Sequence, residues 1–126
     1  MRTLITGHRG FVGSRLHKKT PDALVLDSKD AGNLLYAPLP PDVDVIYHLA
    51  AHKSVEESWM SPGLYIENLS ILLRLVHAYP MARIIHASSC AGDWPVASPY
   101  GFFKFAASKY LVAFHDDYID LVFPNI

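Results

Sequence analysis

Cysteine is nearly absent from this chain. Its 126 residues contain only Cys90, which excludes an internal disulfide and the usual structural zinc cluster. An excess of positive charge is missing too. Eleven Lys and Arg stand against twelve Asp and Glu, for a net charge of -1, so nucleic acid is not expected as a partner. No run of about 18 apolar residues occurs, so no membrane span is expected. The seven histidines lack metal-ligand spacing, and no metal site is expected. The opening Met1-Arg2-Thr3-Leu4-Ile5 breaks at Thr6-Gly7, short of the ~7 apolar residues a signal peptide needs. A reducing, cytoplasmic setting is the expectation. There is no internal repeat and no low-complexity tract. What is present is a folded composition, 51% hydrophobic and 18% charged. A length of 126 residues suits one domain, spanning 1–126.

Short apolar runs alternate with longer helical segments, the pattern of a parallel α/β sheet wound on both faces. About five strands are predicted, at 3–6, 23–27, 43–50, 82–88 and 120–123. Helices are predicted at 11–19, 64–79 and 99–118. In the middle one Leu64, Leu69, Leu72, Leu73 and Val76 recur near helical spacing, and Pro80 marks its end. Residues 37–44 hold three prolines and read as a loop in place of a full crossover helix.

Gly7-His8-Arg9-Gly10-Phe11-Val12-Gly13 follows the first strand and opens a helix. Gly7 permits a tight turn, Gly10 lets backbone approach a pyrophosphate, and Gly13 lets helix pack on strand. The amides of the helix start, at Phe11, Val12 and Gly13, face phosphate with a partial positive charge. A glycine-rich turn without a ligand is the plainer reading; the placement between strand and amphipathic helix favours a dinucleotide. Asp27, at the end of the second strand, can accept both adenosine ribose hydroxyls, which favours NAD over NADP. It can equally be a helix or turn cap. Arg9 and Lys29 keep NADP open, since both can face a 2′-phosphate. Asp30, Asn33 and Leu34 can border an adenine, though turn chemistry explains the first two as well.

Tyr100 and Lys104 lie four apart in a predicted helix and share a face. The lysine ammonium there favours a tyrosinate and can hold a ribose hydroxyl. Ser88-Ser89-Cys90 ends a strand, where open α/β sheets bind ligands. Cys90 is read as a small buried residue before a nucleophile. His48 and His86 sit in apolar strands and are read as core or strand-end residues, and His52 can approach a cofactor. The acidic pairs Glu56-Glu57 and Asp116-Asp117 read as solvated faces, and Trp59 as packing. Trp94 is a lid or a plug.

These motifs together resemble the extended short-chain dehydrogenase/reductase family, the NAD-dependent epimerase/dehydratases of nucleotide sugars. The carriers are Thr6 to Ser14, His48-Leu49-Ala50-Ala51, Ser88-Ser89 and Ser98-Pro99-Tyr100-Gly101-x-x-Lys104. Gly7-His8-Arg9-Gly10-x-Val12-Gly13-Ser14, Asn33-Leu34-Leu35 and Ser88-Ser89-Cys90 are similar to GDP-fucose synthase. Lys53 to Ser58 and Tyr65-x-x-Asn68 look more like UDP-glucose 4-epimerase. The resemblance implies a Rossmann-type domain and a catalytic Ser89 (Ser88 as second choice), Tyr100 and Lys104. It implies that Leu49, Ala50, Ala51 and Lys53 run along the cofactor and that Asn68 lies near it. Tyr100 and Lys104 would then serve the cofactor as well as the chemistry, joining Gly7, Arg9, Gly10, Phe11, Val12, Gly13 and Asp27. The cofactor so implied is NAD, with NADP possible, and the substrate a UDP- or GDP-sugar.

The pattern has departures. The chain stops before the family's C-terminal substrate lobe, and the segment between Ser89 and Tyr100 is short. The Asp-Glu pair typical of the dehydratases is replaced by Cys90 and Ala91, which speaks against 4,6-dehydration. Hydride transfer of the 4-epimerase or ketoreductase type is the least demanding chemistry left. The alternative is a cofactor-binding module without turnover, or a subunit needing a partner to complete the substrate site. The resemblance also implies a homodimer through helices 64–79 and 99–118.

Overall fold

The structure, a computed structural model, describes residues 1–89 and 97–123. Five parallel strands form one sheet: β1 (Thr3–Thr6), β2 (Leu24–Leu26), β3 (Val45–His48), β4 (Arg83–Ser89) and β5 (Tyr118–Phe123). Their spatial order is β2-β1-β3-β4-β5. The helices are α1 (Phe11–Lys19), α2 (Ser28–Ala31), α3 (Val55–Met60), α4 (Pro62–Ala78) and α5 (Pro99–Phe114). This is the doubly wound Rossmann-like α/β fold expected. The chain runs outward from β1 to β2, then crosses back over β1 to β3. Right-handed crossovers in opposite senses put α1 on one face of the sheet and α4 with α5 on the other. The two senses meet between β1 and β3, and that switch point opens a crevice at the strand C-termini.

The core follows from strand alternation. Leu4, Ile46 and Ile84 share one register row and are fully buried. Against them pack Ile71, Leu72, Leu75 and Val76 of α4 with Ala107 and Leu111 of α5. The β2–β3 connection adds Leu34, Ala37 and Val43 to the same core. Two long-range bonds pin it: Arg74 donates to the Leu34 carbonyl and the Tyr79 hydroxyl to the Pro40 carbonyl.

β1 and α1 have the predicted bounds. The other elements shift by one or two residues at an end, and the last helix shifts most, ending four residues early. The helix predicted at 99–118 ends at Phe114 because His115 turns extended, with φ -132° and ψ 129°. Its buried Nε2–H donates to the Ala82 carbonyl at 2.7 Å. The freed residues start β5 at Tyr118, two earlier than expected. Two helices were not predicted. Asp27 caps the single turn of α2, accepting from Lys29 N, and Ser54 caps α3, accepting from Glu57 N. Both are too short to show periodicity, so only their caps mark them in the sequence. Trp59 corrects the packing assigned to it. In α3 only Ser58 is buried, and Trp59, about 100° further round the helix, is 61% exposed.

Candidate functional site

Gly7 follows β1 with φ 77°, a conformation that favours glycine. A Cβ there would also meet Ala50 N at 2.8 Å. Gly13 sits in the first turn of α1, where a Cβ would lie 2.1 Å from the Gly7 carbonyl oxygen. Only a bare backbone lets the helix come this close to the strand. Gly10 is the N-cap of α1. There the added atom would stand 3.3 Å from both the Gly7 oxygen and Lys53 Nζ. No acidic side chain lies in the first turn of α1, so the positive end of the helix dipole is not neutralised from within that turn. The Lys53 ammonium thus hangs over a glycine turn at a helix start, a cradle for phosphate.

Thr6, one residue before the turn, holds the neighbouring strand exit. Its Oγ1 accepts the amides of Leu49 and Ala50 at 3.1 and 3.2 Å. With the lone pairs used, its hydroxyl donates to His48 Nδ1 at 2.7 Å, which places the His48 proton on Nε2. Further along the same exit, Asn68 of α4 clamps the loop. Its Oδ1 accepts from His52 N and its Nδ2 donates to the His52 carbonyl. Asn68 is buried and shapes the loop carrying Ala51 and Lys53. His52 turns its ring to Glu67, with Nε2 3.3 Å from Oε1.

Asp27 is also buried. Its two carboxylate oxygens accept the backbone amides of Lys29 at 2.9 Å and Arg9 at 3.1 Å. It therefore joins the glycine loop to the end of β2 while capping α2. The Arg9 guanidinium pairs with Asp30, and His8 Nε2 lies 3.4 Å from the other Asp30 oxygen. Asn33 makes an Asx turn onto Leu35 N, and Leu34 is core.

On the far side of the crevice α5 starts at a Ser98 cap that accepts from Gly101 N. Tyr100, in the first turn, stands edge-on to Tyr65 with ring centres 6.2 Å apart. Lys104, one turn later, is 6% exposed, and its Nζ donates to the Ala87 carbonyl at 2.8 Å. Burial lowers the Lys104 pKa from 10.5 to about 8; the charge of Asp120 opposes this and that of Lys53 adds to it. Ser88 and Ser89, at the end of β4, are both buried. Ser88 Oγ lies 3.1 Å from Ser108 Oγ of α5.

A cavity of about 450 Å³ opens at these strand ends. It brings together Gly7, Gly10, Phe11, Val12, Gly13, Leu49 and Ala51 with Ser89, Tyr100 and Lys104. Lys53, Ser88 and Phe123 line it as well. Arg9, Asp27, Ala50 and Asn68 are not among its lining residues. A second cavity, of about 380 Å³, lies by Arg2, Lys19 and Asp22, away from the strand C-termini. Cys90 and Trp94 fall outside the described residues. Among the described residues, no His, Cys, Asp or Glu cluster can hold a metal ion, and no helix is long and apolar enough to cross a membrane.

Sequence reading missed Thr6 and Ser108, whose hydroxyls work through the fold. It also missed Asp120, although a carboxylate inside the apolar stretch Tyr-Ile-Asp-Leu-Val-Phe was a visible signal.

A family model described as the NAD dependent epimerase/dehydratase family matches residues 3–126. No curated protein matches the chain. Among solved structures, a dTDP-4-dehydrorhamnose reductase from Clostridium acetobutylicum superposes with a TM-score of 0.84 at 20% identity, covering 97% of this chain and 52% of that one. A dTDP-4-dehydrorhamnose reductase from Bacillus anthracis, solved with NADP, gives 0.77 at 18%, covering 98% and 53%. A UDP-glucose 4-epimerase from Brucella ovis, solved with NAD, gives 0.71 at 22%, covering 98% and 52%. The chain spans about half the length of these structures, and at such identities the likeness shows the fold.

Proposed function

The chain belongs to the NAD dependent epimerase/dehydratase family, and on that premise we propose that it binds a nicotinamide cofactor and handles protons for redox chemistry on a nucleotide sugar. The substrate class is a UDP- or GDP-sugar, and the reaction is of the 4-epimerase or ketoreductase type. The observation that carries this reading is one cavity lined by the glycine loop, Ser89, Tyr100 and Lys104.

The residues fit such a cofactor. Gly7 and Gly13 leave no room for a Cβ where strand and helix meet. The start of α1 and Lys53 offer amides and positive charge to a pyrophosphate. Asp27 at the end of β2 suits a ribose diol, and Leu49, Ala50 and Ala51 supply a close backbone edge. Asn68 keeps that edge in shape. NAD is favoured over NADP because Asp27 would repel a 2′-phosphate and Arg9 is already paired with Asp30.

When bound, a nicotinamide supplies two-electron redox chemistry at its ring. Tyr100 takes the sugar hydroxyl proton and later returns it. Ser89 holds the same oxygen by hydrogen bonding. The Lys104 ammonium favours the tyrosinate. Its grip on the Ala87 carbonyl fixes it against the strand end that carries Ser89. Two copies pair through α4 and α5, whose Ile66, Phe102, Phe105, Val112 and Phe114 side chains are exposed in the single chain.

Titration calorimetry with NAD and NADP, followed by nicotinamide absorbance over a panel of UDP- and GDP-sugars, tests the reading. NAD is expected to bind more tightly than NADP. Tyr100→Phe is expected to keep cofactor binding and lose about 10²- to 10⁴-fold in turnover. Equal turnover in that variant refutes the catalytic assignment. Cofactor binding with no turnover on any sugar supports a binding unit instead, and failure to bind either cofactor overturns the whole reading.

A further inference from the structure

Tyr65 of α4 is the largest fully buried side chain among the described residues, at 0% exposed. It does not line the cavity. Phenylalanine would fill nearly the same volume without burying a hydroxyl, and a buried hydroxyl costs stability unless it is hydrogen-bonded. Here it is bonded: the phenol oxygen accepts the Ser54 amide at 3.0 Å. The ring meets two further groups. It stands edge-on to Tyr100, with centres 6.2 Å apart and planes at 82°, a geometry that aromatic pairs prefer. It also tilts against His52, with centres 5.5 Å apart.

What these contacts hold is the loop between β3 and α3. Asn68 lies three residues along α4 from Tyr65, so the two share a helix face. Asn68 takes both backbone groups of His52, and Tyr65 takes the Ser54 amide two residues on. Ser54 Oγ in turn accepts Glu57 N and caps α3. Lys53 therefore stands between two residues whose backbone is fastened to α4. Its ammonium is the one that overhangs the glycine turn, 3.3 Å from where a Gly10 Cβ would stand. Tyr65 also reaches α5, at Tyr100. One buried side chain thus touches the supports of both walls of the cavity.

We propose that Tyr65 is a positioning residue for both halves of the candidate site: its hydroxyl sets the loop that aims Lys53 at the glycine turn, and its ring edge sets the Tyr100 ring. The role rests on the reading of Lys53 as a phosphate contact and of Tyr100 as the proton carrier. The two contacts use different parts of one side chain, so substitution separates them. Tyr65→Phe removes the oxygen and keeps the ring. Tyr65→Leu removes both. A residue that only fills the core would weaken ligand binding in step with stability, whatever stands at position 53.

The test compares the wild type, Tyr65→Phe and Tyr65→Leu by NAD calorimetry and by NMR of ring-labelled tyrosines, with Tyr100 assigned by its loss in Tyr100→Phe. In Tyr65→Phe, NAD binding is expected to weaken about three- to tenfold, the worth of one hydrogen bond, while the Tyr100 ring signals keep their wild-type positions. In a Lys53→Met background the same change should weaken binding little further, because the hydroxyl acts through Lys53. In Tyr65→Leu the Tyr100 signals should move, and NAD binding should weaken at least as much as in Tyr65→Phe. NAD bound equally well by the wild type and Tyr65→Phe overturns the proposal. So does a full further loss in the Lys53→Met background, and so do unmoved Tyr100 signals in folded Tyr65→Leu. A wild type that binds no nicotinamide cofactor overturns the functional reading and this role with it, a failure distinct from any shown by the variants alone. Should Tyr65→Leu fail to fold, the wild type carries the ring contact. Cross-relaxation must then join the Tyr65 and Tyr100 rings, and its absence overturns the proposal.

Discussion

Lys104 is an expensive residue for this fold to keep, and the cost can be measured. Its pKa falls from 10.5 to about 8 on folding, chiefly through burial. At about 1.4 kcal/mol per pH unit, that fall corresponds to about 3 kcal/mol against the charged form near neutral pH. The sign follows from proton counts. Between about pH 8 and 10.5 the unfolded chain holds the lysine proton and the folded chain has lost it. Stability therefore rises with pH through that window. Below about pH 8 both states are charged and the penalty is complete; above 10.5 it is gone. Lys104→Met, of similar length and apolar, removes the penalty. It also leaves the Ala87 carbonyl without its donor, a loss of about 1 kcal/mol. The net effect at pH 7 is small, somewhere from neutral to about 2 kcal/mol stabilising. The informative quantity is its pH dependence. Urea unfolding of both proteins at pH 7 and pH 10 should show the variant losing about 2 kcal/mol of relative stability at the higher pH. A difference that stays constant from pH 7 to pH 10 would refute the argument that Lys104 is buried as an ammonium ion.

Three further outcomes follow from the same packing. Gly13→Ala puts a methyl 2.1 Å from the Gly7 carbonyl oxygen, so backbone must move; it should cost at least about 1–3 kcal/mol by thermal unfolding and abolish cofactor binding. Gly63→Ala in α4, where a Cβ meets nothing within 4 Å, should be neutral or slightly stabilising in the same assay. His48 is held well below its ordinary 6.5, first by burial and then by the charges of His86 and Lys104. The unfolded chain therefore takes up the proton first as pH falls, and stability should decline below about pH 6.5. Denaturant midpoints should show a shallower decline in His48→Gln, and an identical decline in both proteins would count against a buried neutral His48.

The loop that joins cofactor-binding residues to the fold shows how far local information reaches. Gly7, Gly10 and Gly13 were legible because a strand, a turn and an amphipathic helix each leave a local pattern. Tyr100 and Lys104 were legible because helical spacing alone puts them on one face. The roles of Asp27 and Asn68 were only half legible. A sequence shows a carboxylate after a strand, but not that both its oxygens already hold the amides of Arg9 and Lys29. It shows an asparagine in a helix, but not that the side chain clamps the His52 backbone sixteen residues away. Trp59 misled because an aromatic residue among apolar neighbours reads as core, while a six-residue helix has only one narrow face to bury.

The sequence by itself determined the alternation of strands and helices, the glycine turn and the order of the candidate residues. Those features depend on backbone stereochemistry and on periods of two and 3.6 residues, which act over a few neighbours. The tertiary structure alone decided that His86 and Asp120 meet from positions 34 apart. It also decided that Thr6 locks the exit of β3 and that Lys104 is buried against β4. Parallel register and helix docking set these contacts, and both depend on how distant surfaces fill space together. The same docking turns an ordinary lysine into a buried one whose ammonium is held by a main-chain carbonyl of β4.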